Sequence, residues 1–344
     1  MFLNGYLPPA RSVHPSQSSG LRDPRGVFPV STGFTEPSSG NGTIDPFGES
    51  RRGPQHRYWL HSLLLLLTFV TTTVVGAGLA QGFTTNQPFA FDFDVSGYAR
   101  VFHDPAFLIS GLPFSLTLLT ILMAHEMGHY LAARYYQVNV TLPFFIPAPT
   151  LIGTMGAFIR LRSPLLSRRM LFDIGIAGPI AGFLALILPL AIGMSLSRVV
   201  PGIVRSGDLV FGNPLILKLF ESIWFPGVSA SDISLHPMVR AVWAGLLATA
   251  LNLLPIGQLD GGHVLYAFVG ERAKWLSRFF VLMLVGLGIF FAYSWLVWAL
   301  VLFLLGMKHP SIYDPRPLGR TRAWLGLAAL VIFVLSFTPT PVRT

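Results

Sequence analysis

Long apolar runs recur along the chain from Tyr58 onward. Several reach about 20 residues, the length that an α-helix needs to cross the hydrocarbon core of a bilayer. The composition agrees, because 52% of the residues are hydrophobic and only 11% are charged, against about 25% charged in a typical soluble domain. The sequence therefore predicts an all-α polytopic membrane protein with about six transmembrane helices.

The second run, residues 107–136, carries the motif HEMGH at 125–129. Positions i and i+4 share one face of a helix, so the imidazoles of His125 and His129 can converge on one metal ion with Glu126 beside them. Burying these groups in hydrocarbon costs on the order of several kcal/mol unless something pairs them. The motif therefore predicts a metal site at membrane depth.

Charge patterning predicts the orientation of the spans. Three acids, Asp92, Asp94 and Asp104, stand against one basic residue in the loop 84–106, and a loop so poor in basic residues fits the non-cytoplasmic side. The second span then runs inward, and His129 lies about 10 Å before its cytoplasmic end near Tyr136. Water would reach the site from the cytoplasm.

Residues 1–56 are rich in Pro, Gly and Ser and predict a disordered N-terminal tail. The tail has no apolar segment of the secretory type, and Arg51, Arg52 and Arg57 anchor the first span, Tyr58–Phe83, on the cytoplasmic side. The net charge of +9 comes from arginines that flank spans, so it indicates membrane topology and no nucleic-acid partner.

Residues 138–169 break the helical pattern with four prolines and predict a short membrane-associated β-hairpin. Gly153 and Gly156 stand where the backbone needs freedom or close approach. Two roles stay open: a connector whose arginines face lipid phosphates, or an edge strand, including Thr154, that pairs with an extended substrate.

The third span, Met170–Ser197, contains closely spaced small residues that let helices approach one another. Asp173 either caps the start of this helix or accepts a hydrogen bond from the metal-site histidines. The following loop, 198–236, is expected outside and holds no separate domain.

The fourth apolar segment, residues 241–270, is interrupted by polar residues, Pro255 and glycines. Non-helical backbone at membrane depth is tolerated where it lines a cavity or is buried in protein, so this break indicates a site. Asp260 is the carboxylate placed at the break. His263 is either a neighbour of the site or a packing residue.

The chain has no cysteine, so a metal must be held by His and carboxylate. Catalytic zinc takes three protein ligands and leaves one position for water. Asp260 is the natural third ligand beside His125 and His129, with one Zn²⁺ per chain. Glu126 is then the general base, and Asn252 can donate to the carbonyl oxygen as charge develops on it.

HEMGH in one span and NLLPIGQLDGGH in a later one resemble the site-2 protease family of intramembrane zinc metalloproteases, peptidase family M50. The likeness extends through GTMGAFIRLRSP and DIGIAGPIAGF and covers about residues 107–270. The resemblance implies zinc ligation by His125, His129 and Asp260, Glu126 as base, and Asn252 as a substrate or oxyanion contact. It also implies a transmembrane helical protein substrate, often first trimmed by a site-1-type protease.

The C-terminal part is expected to hold a basic cytoplasmic loop at 271–278, an apolar run at 279–307 and a last span at 323–338. If the run at 279–307 spans once, the loop with Lys308, Arg316, Arg320 and Arg322 lies outside, against the positive-inside rule. The expected division of the chain is a tail at 1–56, a first span and external loop at 57–106, a catalytic core at 107–270, and C-terminal spans at 271–344.

Two other classes of protein also place ionisable groups in a membrane. A transporter needs no HExxH pair with its adjacent base, and the sequence shows no inverted repeat. A catalytically inactive relative would lack part of the ligand and base set, which is complete here. The prediction is an integral, multi-pass protease, in a bacterial inner membrane with the N-terminus cytoplasmic.

Overall fold

The computed structural model describes residues 58–87, 103–203, 210–305, 312, 314 and 316–343. The predictions for the tail 1–56, for most of the acidic loop and for Lys308 fall outside these residues. The described part is mainly helical, with three small two-stranded sheets.

The first three helices are α1 (Tyr58–Thr85), α2 (Pro105–Tyr135) and α3 (Arg168–Leu196), which confirms helices at the first three predicted spans. Helix α2 begins where the Asp104 carboxylate accepts hydrogen bonds from two backbone N–H groups, with a proline in the first turn. All three helices are long and apolar enough to cross a membrane.

Helix α2 packs between α1 and α3, and small residues bring the backbones together. A Cβ added at Gly111 would lie 2.1 Å from the Thr73 carbonyl oxygen of α1. The Thr73 hydroxyl donates to Ser115 Oγ at 3.0 Å, so this buried α1–α2 contact has a polar link.

The predicted hairpin is present as strands β1 (Phe144–Pro147) and β2 (Thr154–Phe158), which pair antiparallel. β1 packs against α1, and β2 contacts α2. Both glycine predictions are confirmed: Gly153 (φ +76°) approaches α1 so closely that a Cβ would lie 2.7 Å from backbone atoms of Thr71 and Thr72, whereas Gly156 (φ +98°) faces open space.

The segment predicted as an external loop, 198–236, has more structure than expected. It contains the short helix α4 (Leu215–Trp224). Short strands flank this helix: β3 (Arg198–Val199), which pairs with β5 (Ile233–Ser234), and β4 (Val210–Phe211), which pairs with β6 (Val342–Arg343) near the C-terminus.

The fourth apolar segment is broken as predicted, between α5 (Pro237–Asn252) and α6 (Asp260–Val269). The prediction of a basic loop at 271–278 is wrong, because α7 occupies Ala273–Phe290. Two basic residues of this helix have partners nearby in the sequence. Lys274 pairs with Glu271, and the Arg278 guanidinium lies 4.7 Å from the Trp275 ring centroid.

The run 279–307 is not one helix. After α7 the chain turns and forms α8 (Ser294–Leu305), which packs back on α7. A Cβ at Gly288 would lie 2.5 Å from Leu296, so the small residue permits this tight helical hairpin. The last helix, α9 (Arg320–Ser336), falls where the final span is predicted.

Six spans are not confirmed. Within the described residues, four helical segments are long and apolar enough to cross a membrane. Three are α1, α2 and α3. The fourth is Asp260–Phe290, in which the 3-10 turn Gly270–Arg272 connects α6 to α7. Helix α5 has 16 residues because the break ends it, α8 has 12 and α9 has 17, each shorter than the roughly 20 residues of an upright span.

Candidate metal centre

Three side chains from two separate helices converge inside the helical core. Nε2 of His125 and Nε2 of His129 each lie 3.2 Å from Oδ2 of Asp260, and the two nitrogens lie 3.2 Å from each other. The three residues are 5%, 2% and 2% exposed. The atoms form a nearly equilateral triangle that could hold one metal ion.

The size of this triangle can be compared with a known coordination geometry. Two ligands at about 2.0–2.1 Å from a tetrahedral zinc ion stand about 3.3–3.4 Å apart. The observed separations of 3.2 Å are close to that value, so the donor atoms fit three corners of a tetrahedron. Two imidazoles and one carboxylate are also a donor set suited to zinc.

A hydrogen bond fixes the orientation of His129. Its Nδ1 donates to the Ile174 carbonyl oxygen of α3 at 2.6 Å. With the proton on Nδ1, the Nε2 lone pair is directed at the triangle, which is the arrangement that metal-binding histidines usually have. The bond joins α2 to α3 at the site.

Two buried carboxylate oxygens lack a hydrogen-bond partner within the described residues. They are Oδ1 of Asp260 and Oε2 of Glu126, a side chain that is 3% exposed. A buried, unpaired carboxylate oxygen is costly unless a metal ion or water satisfies it. Both oxygens therefore indicate a site that binds a metal ion or water.

The break between α5 and α6 brings Asp260 to the histidines. The chain leaves α5 at Asn252, turns at Gly257 with a φ of +51°, and re-enters a helix at Asp260. The turn is closely packed, because a Cβ at Gly261 would lie 2.0 Å from the Leu253 carbonyl oxygen. From α7, the Ser277 hydroxyl accepts from the Gly257 N–H and donates to the Pro255 carbonyl oxygen, both at 3.3 Å.

Asn252 lies at the edge of the triangle. Its Nδ2 is 3.2 Å from Nε2 of His125. The side-chain amide of this residue therefore points at the place where a bound group would sit.

Replacing Asp260 with alanine is expected to abolish stoichiometric metal binding, because two imidazoles alone leave the triangle open on one side. The measurement is metal content after purification, together with a competition titration of affinity. Asp232→Ala, at an acid in the turn before β5, is the matched control and should retain the metal. Unchanged affinity in a folded Asp260→Ala protein would contradict the assignment.

The remaining predicted residues lie in the hairpin and in the break between α5 and α6. Gly153, Thr154 and Gly156 belong to the hairpin, where the Thr154 hydroxyl donates to the Ile146 carbonyl oxygen and accepts from the Gly156 N–H. Pro255 lies in the break beside Ser277. Thr154 thus has a hydrogen-bonding role within the hairpin itself.

Neither predicted role for Asp173 holds. The side chain that caps α3 is Ser167, and Asp173 instead accepts from Tyr136 and from Arg322 of α9. His263 is buried against α3. A Cβ added at Gly175 of α3 would lie 3.1 Å from the Cβ of His263.

Three sets of contacts at the site could not be predicted from the sequence. The first is the hydrogen bond from His129 to the Ile174 carbonyl oxygen, and the second is the pair of hydrogen bonds that Ser277 makes to the break, here called the Ser277 brace. The third is the close approach of two α3 glycines to the two histidines. A Cβ at Gly178 would lie 2.1 Å from Nε2 of His129, and one at Gly182 would lie 3.1 Å from Cβ of His125. Glycine spacing in the third span predicts close packing but not its partner.

Comparison with known proteins gives a consistent result. Residues 113–294 match the model of peptidase family M50. The chain is 34% identical over 241 residues to the probable zinc metalloprotease EGY1, chloroplastic, of Arabidopsis thaliana, covering 68% of this chain and 44% of that protein. It is 33% identical over 240 residues to the protein of the same name from Oryza sativa subsp. japonica, covering 68% of this chain and 41% of that protein.

A third relative is the probable zinc metalloprotease EGY2, chloroplastic, of Arabidopsis thaliana. It is 30% identical over 254 residues, which cover 72% of this chain and 45% of that protein. The chain thus spans less than half the length of these curated relatives.

Proposed function

The chain belongs to peptidase family M50, and from that premise we propose that it is an intramembrane zinc metalloprotease that hydrolyses peptide bonds within or near transmembrane helices of membrane-anchored proteins. The observation that carries the proposal is the buried triangle of His125, His129 and Asp260, with sides of 3.2 Å, beside the buried carboxylate of Glu126.

His125, His129 and Asp260 would hold one Zn²⁺. When bound, zinc supplies Lewis acidity that acidifies a water molecule and polarises the scissile carbonyl. The Glu126 carboxylate accepts the proton of the attacking water and returns it to the leaving nitrogen. The Asn252 amide donates to the carbonyl oxygen as negative charge develops on it.

We propose that the hairpin presents the substrate backbone. A helical substrate must unwind locally before its peptide bond can be attacked, and an extended strand can add to an open sheet edge. The sheet has two strands, so the outer edge of β2 pairs with no other strand in the described part of the chain. β2 also contacts α2, the helix that carries both histidines.

In this proposal Gly153, Thr154 and Gly156 shape the receiving strand. Thr71 Oγ1 of α1 donates to the Gly153 carbonyl oxygen at 2.6 Å, so α1 holds the hairpin in place. Pro255 lies within the break between α5 and α6.

The setting is part of the same proposal. The chain is a membrane protein, and the arginines before its first span favour a cytoplasmic N-terminus. The location in this proposal is a bacterial inner membrane. The curated plant relatives are named chloroplastic, which is a statement about those proteins. The resemblance further supports a site-1-type protease acting upstream on the substrate.

Metal removal tests the proposal. Purified protein in liposomes is incubated with a panel of tagged single-span helices carrying helix-weakening residues at different depths. We expect cleavage within or near the span of at least one helix, loss of cleavage on treatment with a zinc chelator, and recovery on adding Zn²⁺ back. Cleavage that survives complete removal of the metal would contradict the mechanism, and a protein that binds zinc but cleaves no helix would contradict the activity.

A further inference from the structure

A polar cluster joins α9 to α2, which carries His129, and to α3, which accepts the hydrogen bond from His129. Arg322 of α9 donates to Asp173 of α3 through two nitrogens, Nε to Oδ1 at 2.8 Å and Nη2 to Oδ2 at 2.6 Å. The Tyr136 hydroxyl, at the end of α2, donates to the same carboxylate. Three separate elements therefore meet at Asp173.

The geometry favours a specific contact. A bidentate arginine–carboxylate pair is among the stronger charged interactions in proteins, and here the two side chains are only 24% and 22% exposed, so water screens the pair less than it screens a surface ion pair. The Tyr136 hydroxyl adds a third hydrogen bond to the same carboxylate.

The cluster stands directly beside the contact that orients His129. Asp173 precedes Ile174, whose carbonyl oxygen accepts from His129 Nδ1 at 2.6 Å. Tyr136 lies at the end of the helix that carries His129. The cluster thus links the helix that carries His129 to the residue that directly precedes Ile174.

We propose that Arg322 is a positioning residue for the metal centre: by clamping Asp173 and Tyr136 it fixes the Ile174 carbonyl against His129. The inference rests on the proposed metal site. Arg322 lies beyond residue 294, where the family match ends, so it assigns a role at the site to a helix outside the matched region.

The test is a double-mutant cycle read as zinc affinity and as the ligand-field spectrum of the Co²⁺-substituted protein. Loss of an outer contact of a metal ligand typically weakens metal affinity by about 10- to 100-fold. We expect Arg322→Gln and Asp173→Asn each to lower zinc affinity about 10-fold and to shift the Co²⁺ spectrum, and the double variant to be no worse than either alone. The charge-swapped pair Asp173→Arg with Arg322→Asp should regain part of the affinity.

Arg320→Gln is the matched control, because Arg320 is an exposed arginine on the same helix, and it should leave both readouts unchanged. Tyr136→Phe removes a single oxygen and serves if the arginine variant fails to fold; it should lower zinc affinity in the same direction. Unchanged affinity and spectrum in folded Arg322→Gln or Tyr136→Phe would overturn the proposal. Zinc binding decides this question even if no substrate is cleaved, so failure of the protease activity stays distinguishable.

Discussion

Replacing Glu126 with glutamine is expected to abolish peptide hydrolysis while leaving zinc bound. Glutamine keeps the size and shape of the side chain but cannot accept the proton of the attacking water. General acid–base groups typically contribute about 10²- to 10⁴-fold to a rate. We therefore expect the cleavage rate to fall by about 10²- to 10⁴-fold or below detection. Glu126 lies outside the ligand triangle, and zinc content should therefore stay at one per chain.

The measurement is single-turnover cleavage of a membrane-embedded helix, with metal content determined on the same samples. Glu221→Gln is the matched control, since Glu221 of α4 is also a buried glutamate, 8% exposed, but pairs with Asn213 and has no part in the proposed chemistry. A folded, zinc-loaded Glu126→Gln protein that cleaves at the original rate would exclude Glu126 as the base.

The positions of His125, His129 and Asp260 at one site could be predicted in part from local rules. Four-residue spacing on a helix places His125 and His129 on one face, and a polar break in an apolar segment marks Asp260 as a residue near a cavity or site. Neither rule alone places Asp260 beside His125, which is 135 positions earlier in the sequence. That prediction required the two motifs to be considered together.

The contacts that hold the site in shape were not predictable in the same way. Arg322 and Asp173 are 149 positions apart, and nothing in the spacing of either residue identifies the other. Charge alone also misled, because the basic residues at 271–278 suggested a loop. In the structure a salt bridge and a cation–π contact accommodate two of them on or next to α7, and the same helix supplies the Ser277 brace.

Replacing Gly178 with alanine is expected to destroy the metal centre although the substitution adds only a methyl group. The new Cβ would lie 2.1 Å from Nε2 of His129, one of the three donor atoms. Non-bonded heavy atoms prefer a separation of about 3.5 Å, so the two atoms must move apart by about 1.4 Å. Metal ligand distances tolerate changes of only about 0.2 Å, so a tilted His129 can no longer complete the triangle.

Moving α3 away cannot relieve the clash without a second loss. The backbones already touch, because a Cβ at Gly128 of α2 would lie 2.4 Å from the Ala177 carbonyl oxygen, and the same displacement would break the 2.6 Å bond from His129 to Ile174. A misplacement of about 1 Å can cost about 10²-fold in rate, and loss of zinc costs all of it. Zinc content and cleavage should therefore both fall in Gly178→Ala, whereas Gly78→Ala, where a Cβ meets nothing within 4 Å, should change neither. Full zinc occupancy in a folded Gly178→Ala protein would mean that α3 does not determine the position of His129.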